Sequence, residues 1–284
     1  MSITIEATAI ELAAGSLHVL RSGPRDAPAI VLLHGWPQSA RAWTGLMEAA
    51  GDDVQLIAPD LPGIGGSRVE RPCATTGAVA DVVGDLVTAL GLEQPVVVGH
   101  DVGGMVAYSC LRHVPGLRAV AILGTVVPGV APWHEVLANP WLWHFAFHTI
   151  PGLPEQLASG REEVYFDYFY EAIAHHPERI GRERRRAHAD AYRAPGALTA
   201  GFDLYRALWD DARVNEEERS AVSTPVLYAR GEHEGGSIGA YADGLREAGL
   251  TNVRTAVVPD SGHFTPEESP VGLWEVLRTG LPAA

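Results

Sequence analysis

The run Val96-Val97-Val98-Gly99-His100-Asp101-Val102-Gly103-Gly104-Met105-Val106-Ala107-Tyr108 sets an acidic side chain at the centre of a glycine-flanked turn. Three β-branched residues make a short buried strand. Gly99, Gly103 and Gly104 crowd a sharp turn, and Met105 to Tyr108 open an apolar helix. Glycines on both sides of Asp101 let the strand and helix backbones pass closely, which pushes the central side chain outward in the manner of a nucleophile elbow. A serine there would need a base to remove its proton. A carboxylate is already anionic at neutral pH and can attack directly an sp3 carbon that bears a leaving group or belongs to a strained ring. The plainer alternative is that Asp101 only caps the helix that follows.

Two further stretches carry chemistry, His34-Gly35-Trp36-Pro37 and Ser261-Gly262-His263-Phe264, and each follows an apolar run. Ala29 to Leu33 is continuous and apolar, the pattern of a strand buried on both faces. Val54 to Ala58, Val96 to Val98, Ala119 to Leu123, Thr224 to Ala229 and Val253 to Val258 read as further strands. Helices are expected at Ser39 to Ala50, Thr76 to Leu90, Ala240 to Ala248 and Pro270 to Thr279. Such alternation implies an α/β fold with a mostly parallel central sheet, helices on both faces and ligands beyond the carboxyl ends of the strands. Ile3 to Leu12 and Ser16 to Ser22 alternate in polarity and read as an antiparallel edge hairpin around Gly15. The Asp60 to Ser67 loop is glycine-rich but lacks the ending and spacing of a phosphate cradle, so it reads as a structural turn.

The alternation breaks after Pro128. From Gly129 to Glu218 no strand signal occurs, and the segment is helical and rich in Trp, Phe, Tyr and His. Residues 1–128 and 219–284 are therefore expected to form the core, and residues 129–218 a helical cap over the strand ends. The Arg182, Arg184, Arg185, Arg186 run reads as a solvated helix face.

The 284 residues suffice for one large core plus a smaller insert, and 46% hydrophobic with 20% charged residues is ordinary for a globular enzyme. A net charge of -14 argues against a nucleic-acid partner. All 21 basic residues are arginine. Cys73 and Cys110 are too few for a disulfide framework and show no metal spacing. Neither a leader peptide nor a membrane span is visible. The expectation is a cytoplasmic protein, a possible homodimer, with no cofactor, no metal and no membrane partner.

Together, His34-Gly35-Trp36-Pro37, Gly99-His100-Asp101-Val102-Gly103 and Ser261-Gly262-His263-Phe264 resemble the α/β-hydrolase superfamily, and the aspartate in the elbow resembles its epoxide hydrolase and haloalkane dehalogenase branch. The resemblance implies that Asp101 attacks an epoxide carbon to form an alkyl-enzyme ester. His263 then activates water to release a diol, and the backbone N–H groups of Trp36 and Val102 form the oxyanion hole. An acid must orient His263. The position after Ala119 to Leu123 is Gly124, which cannot serve, so Glu234 is the expected partner and Glu232 the fallback. Tyr205 and His144 match the branch's two cap-side proton donors. Trp143, Phe145 and Phe147, with Trp141, read as pocket lining or packing, and suggest a largely apolar substrate. His34 and His100 read as structural. His18, His113, His134, His175, His176 and His188 read as surface or cap residues. The main alternative is a haloalkane or haloacid dehalogenase. Against it, Val102 stands where haloalkane dehalogenases usually carry tryptophan, and Val102-Gly103-Gly104-Met105 supplies none of the arginines that fluoroacetate dehalogenases carry after the nucleophile. A catalytically silent small-ligand binder is the third reading.

Overall fold

The computed structural model describes residues 3–70 and 73–282. The strands are β1 (Glu6–Leu12), β2 (Gly15–Ser22), β3 (Ala29–Leu33), β4 (Gln55–Pro59), β5 (Arg68–Val69), β6 (Val96–His100), β7 (Ala119–Leu123), β8 (Val226–Gly231) and β9 (Val253–Val258). They form one sheet in the order β1-β2-β4-β3-β6-β7-β8-β9, with the two-residue β5 attached to β2. The hairpin β1–β2 is antiparallel, and β2 meets β4 antiparallel. From β4 to β9 every pairing is parallel. β5 was not expected; two residues are too few to carry a period.

Helices α1 (Thr44–Ala50), α2 (Thr76–Ala89) and α3 (Val102–His113) alternate with the first strands, and α11 (Ile238–Glu247), α12 (Thr265–Glu268) and α13 (Pro270–Gly280) with the last. The helix expected from Ser39 begins as a tight 3-10 turn over Ala40–Trp43 before α1. β3, β4, β6, β7 and β8 are buried at every residue. Their alternate side chains separate onto two faces. Val31, Val97, Val120 and Ile122 join the cluster that contains α2 and α3. Ile30, Leu32, Val96, Val98 and Ala121 join the cluster that contains Trp43 and Leu46 together with Leu273 and Leu277 of α13. A strand covered on both sides must be apolar at successive positions, which is why these runs show no alternation.

Between β7 and β8 the chain forms α4 (Trp133–Leu137), α5 (Trp143–His148), α6 (Leu153–Ala158), α7 (Glu162–Ile173), α8 (Arg182–Ala191), α9 (Ala197–Arg206) and α10 (Leu208–Glu217), with no strand among the described residues of this segment. This is the inserted helical cap. The arginines of α8 divide: Arg182 and Arg186 are exposed, whereas Arg185 lies 2.6 Å from Glu171 and over the Tyr170 ring, and Arg184 reaches the buried Glu267 at 3.7 Å. The solvated-face reading holds for Arg182 and Arg186 and is corrected for Arg184 and Arg185, which turn to acids of α12 and α7.

The elbow depends on bare backbone. A Cβ on Gly99 would lie 1.9 Å from the Gly103 carbonyl oxygen, and one on Gly103 would lie 2.4 Å from that of Leu33. Gly84 inside α2 is the opposite case, since its nearest neighbour would be a Val114 methyl at 3.7 Å. Gly99→Ala should therefore cost about 3 kcal/mol or more through backbone overpacking. Gly84→Ala should stabilise by about 0.5–1 kcal/mol. Urea unfolding of the two variants checks both signs.

Candidate active site

β3, β6, β7, β8 and β9 run parallel, so the segments leaving their carboxyl ends gather on one edge of the sheet. β6 delivers Asp101 in a conformation rare for a residue with a side chain, φ 54° and ψ -123°. Its side chain makes no capping bond to α3, which removes the N-cap reading. Instead Asp101 Oδ1 accepts the Trp36 N–H at 2.9 Å. Asp101 Oδ2 lies 3.7 Å from His263 Nε2, and both side chains keep partial exposure, 13% and 14%. The Val102 N–H also favours the ionised form of the Asp101 carboxylate, without meeting it at hydrogen-bond geometry.

His263 leaves β9 with its Nδ1 at 2.9 Å from Glu234 Oε1. Glu234, not Glu232, is thus the acid beside the imidazole. Glu232 points away, accepting the Asp260 N–H at 3.0 Å with its side chain 54% exposed. Gly124 explains the choice. It follows β7 at φ +56°, and a Cβ there would sit 3.3 Å from Glu234 Oε2, so the missing side chain leaves the space the glutamate occupies. Arg230 lies 3.2 Å from Oε1, the same carboxylate oxygen that faces His263. It is itself pinned by Tyr228 Oη (3.0 Å), the Gly235 carbonyl (2.6 Å) and the Tyr241 ring.

Electrostatics couple these groups. Burial pushes the Asp101 carboxyl above its ordinary value, opposed by the charge of His263 and by the Trp36 and Val102 N–H groups. Burial alone would lower the His263 imidazole, but Glu234 and Asp101 outweigh it and the net shift is upward. The neighbouring His34 and His100 are buried structural residues, as expected. His34 Nδ1–H donates to the Gly35 carbonyl (2.9 Å) while Nε2 accepts the Leu61 N–H (3.0 Å). His100 Nε2–H donates to the His263 carbonyl at 2.8 Å. Burial lowers the His34 pKa to about 4.

The Trp36 side chain rises into the cap and meets aromatic rings from three helices. His148 of α5 is 4.6 Å away, Phe169 of α7 4.9 Å, Phe166 5.4 Å and Tyr205 of α9 5.7 Å, between ring centroids. His144 stacks at 6.2 Å from Trp36 and lies 5.8 Å from Tyr205. Both are buried, at 8% and 1% exposure. Burial drops the His144 pKa to about 3, with the charge of His263 adding to the effect. Burial and the nearby Asp101 push the Tyr205 phenol well above 10. Both groups are therefore neutral at neutral pH, the phenol as an O–H donor.

The lining residues divide. Positions 144 and 148 of α5 face inward, as i, i+4 neighbours do, and Phe145 packs 5.3 Å from Tyr205. Trp143 is 39% exposed and donates its indole N–H to Tyr168 Oη, while Phe147 packs against Trp143 at 5.8 Å. Trp141 is 80% exposed and lines nothing. Sequence reasoning missed the pair His148 and Tyr165, joined at 2.6 Å between Nε2 and Oη. The four-residue spacing from His144 was the available signal.

Cap and core also meet through buried polar bonds. His188, read from sequence as a surface or cap residue, is a fully buried cap residue: its Nε2–H donates to Glu267 Oε1 (3.1 Å) and its Nδ1 accepts the Ser39 N–H (3.2 Å). Tyr192 and Tyr170 of the cap donate to the carbonyls of Gln38 (3.0 Å) and Pro37 (3.3 Å). The loop that presents the Trp36 N–H is thus fastened from above. Glu268 was also missed. Its buried carboxylate accepts the N–H groups of Gly262, Phe264, His175 and His176 at 2.8–2.9 Å, fastening the His263 loop to the end of α7.

Comparisons with known proteins agree with this arrangement. A soluble epoxide hydrolase from Corynebacterium sp. (strain C12) is 28% identical over 248 residues, 85% of each chain. The crystal structure of wild-type Cfl2 from Burkholderia cenocepacia superposes with a TM-score of 0.87 at 30% identity, covering 99% of this chain and 97% of that one. Epoxide hydrolase CorEH without ligand superposes with a TM-score of 0.88 at 26% identity over 98% of both chains. The family described as alpha/beta hydrolase fold matches residues 28–270. With its parallel sheet, inserted helical cap and strand-end motifs accounted for on that pattern, the chain belongs to the α/β-hydrolase fold family.

Proposed function

We propose that the protein is an epoxide hydrolase that opens an epoxide to a vicinal diol through an ester on Asp101. The observation that carries this reading is the divided carboxylate. Oδ1 is held by the Trp36 N–H while Oδ2 is turned toward His263 at a distance too long for a direct bond. Oδ2 attacks the epoxide carbon, the ring C–O bond breaks, and the Tyr205 phenol supplies the proton to the departing oxygen. His144, neutral and far too weakly basic to be an imidazolium, assists as a hydrogen-bond donor. A water molecule then attacks the ester carbon while His263 Nε2 takes its proton. The charge that develops falls on Oδ1, already held by the Trp36 N–H with the Val102 N–H as the second donor, where preorganised donors are worth most. Collapse of this intermediate releases the diol oxygen, to which His263 returns the proton, and the second water proton passes from the Asp101 carboxyl to the Tyr205 phenolate, which restores both groups.

The electrostatics support the same order of steps. Asp101 helps raise the His263 pKa in the free protein. Esterification cancels that negative charge, so the imidazole loses a proton more readily at the step in which it must act as a base. Similarity to proteins named epoxide hydrolases, the Corynebacterium enzyme among them, supports the substrate class. The largely aromatic cap, with Phe145 against Tyr205, suits a mainly apolar substrate.

His263→Gln should accumulate the ester, read by mass spectrometry of the intact chain as one added substrate mass per protein, and Asp101→Ala should form none while staying folded. Halide or fluoride release without diol formation would replace the reading with a dehalogenase, and no adduct across a broad epoxide panel would leave a binding protein. Tyr205→Phe should slow ester formation in single-turnover assays by about 10²–10⁴-fold, the usual cost of losing a general acid; His144→Phe should cost less than Tyr205→Phe. Glu234 raises the His263 pKa, so removing its charge lowers it. In Glu234→Gln the acid limb of ester hydrolysis should therefore move to lower pH while the plateau rate falls by about 10²-fold or more.

A further inference from the structure

Outside this site, three side chains with metal-ligating atoms converge at the cap–core seam. His175 and His176 follow α7, and Asp260 stands three residues before His263. One ligand atom from each lies within 4.8 Å of the other two. We propose that His175, His176 and Asp260 form a binding site for a divalent metal ion of the zinc class, which braces the cap against the loop that carries His263.

Two imidazoles and one carboxylate make a borderline donor set, suited to zinc and to cobalt or nickel rather than to calcium or magnesium. His176 Nε2 and Asp260 Oδ1 face each other at 2.7 Å. Donors bound at about 2.0–2.1 Å on a tetrahedral angle stand ~3.3 Å apart. An opening of about 0.6 Å, within reach of a side-chain rotation on exposed or half-buried residues, therefore admits the ion between them. The surrounding groups already orient these ligands. Glu178 Oε1 lies 3.1 Å from His176 Nδ1, on the far side of the ring. Arg179 donates to Asp260 Oδ2 at 2.6 Å and to the Asp260 carbonyl at 3.1 Å, leaving Oδ1 turned to the histidine. Outer partners of this kind hold ligand rings and carboxylates in place. His233 stacks on His175 with ring centroids 3.6 Å apart, which fixes the plane of the His175 ring.

The position gives the site a consequence. His175 and His176 are tied through their N–H groups to Glu268, which also holds Gly262 and Phe264 on either side of His263. The His263 N–H in turn donates to the Ile173 carbonyl at 3.3 Å. A metal ion on the outer side of this seam adds a second clamp to the same two segments. It stabilises the folded chain by mass action.

The test uses the untagged full-length chain stripped of metals with a chelator. Calorimetric titration with Zn2+ should give one ion per chain, and Co2+ should develop the visible d–d absorption of a nitrogen- and oxygen-ligated low-coordinate site. Zn2+ should raise the melting temperature. His176→Ala and Asp260→Asn should each weaken Zn2+ binding by at least tenfold and abolish the thermal shift. His134→Ala, which removes an exposed histidine on α4, should change neither. Absence of stoichiometric binding to the parent chain would overturn the proposal, and so would binding of equal strength in all three variants. The readouts involve no substrate, so they stand apart from the epoxide assays.

Discussion

A carboxylate taken out of bulk water must be met by donors or it takes up a proton, and the architecture around Asp101 answers that requirement from two sides. Two backbone N–H groups address the carboxylate, and the imidazole of His263 balances its charge. None of these donors is adjustable on its own. The Trp36 N–H is placed by a loop that follows β3, the Val102 N–H by the first turn of α3, and the imidazole by a loop that follows β9. The geometry is therefore only as good as the register of three strands in one sheet, which the close backbone contact of Gly103 with Leu33 and His34 helps to hold.

The cap is part of the same solution and not only a cover. Trp36 contributes its N–H to the carboxylate and its ring to an aromatic cluster built by α5, α7 and α9. Tyr170 and Tyr192 donate to the carbonyls of the following residues of the same loop, and His188 accepts the Ser39 N–H. Packing of the cap and position of the donor are thereby linked, because a shift of one displaces the other. Burial within this cluster also keeps His144 and Tyr205 uncharged, so the ceiling of the site offers neutral donors and adds no charge opposite the anion.

On the other side, His263 is held by a chain of partners running Glu234, Arg230 and Tyr228 to the Thr125 carbonyl, which Tyr228 reaches at 2.6 Å. A glutamate reaches the ring where the strand end after β7 carries only hydrogen. A longer side chain and a missing one are complementary at this point. The arginine offsets the cost of burying the glutamate, and it shares one carboxylate oxygen, Oε1, with the imidazole.

Much of this was legible in the chain as written, because some signals are local. Glycines at fixed offsets around Asp101 report a close backbone approach, apolar runs report strands covered on both faces, and the loss of that alternation after Pro128 reports a helical insert. These patterns lie within windows of a dozen residues and need no partner to be read. The choice between Glu234 and Glu232 could not be made so. Two residues apart on one loop, they differ only in which faces the imidazole, and the space at Gly124, 110 residues upstream of Glu234, decides it. The same holds for His188, Tyr165 and Glu268, whose partners lie 149, 17 and up to 93 residues away in the chain. Hydrogen bonds between distant segments leave no period in a sequence; they come into being when the sheet brings the strand ends to one edge and the cap closes on them.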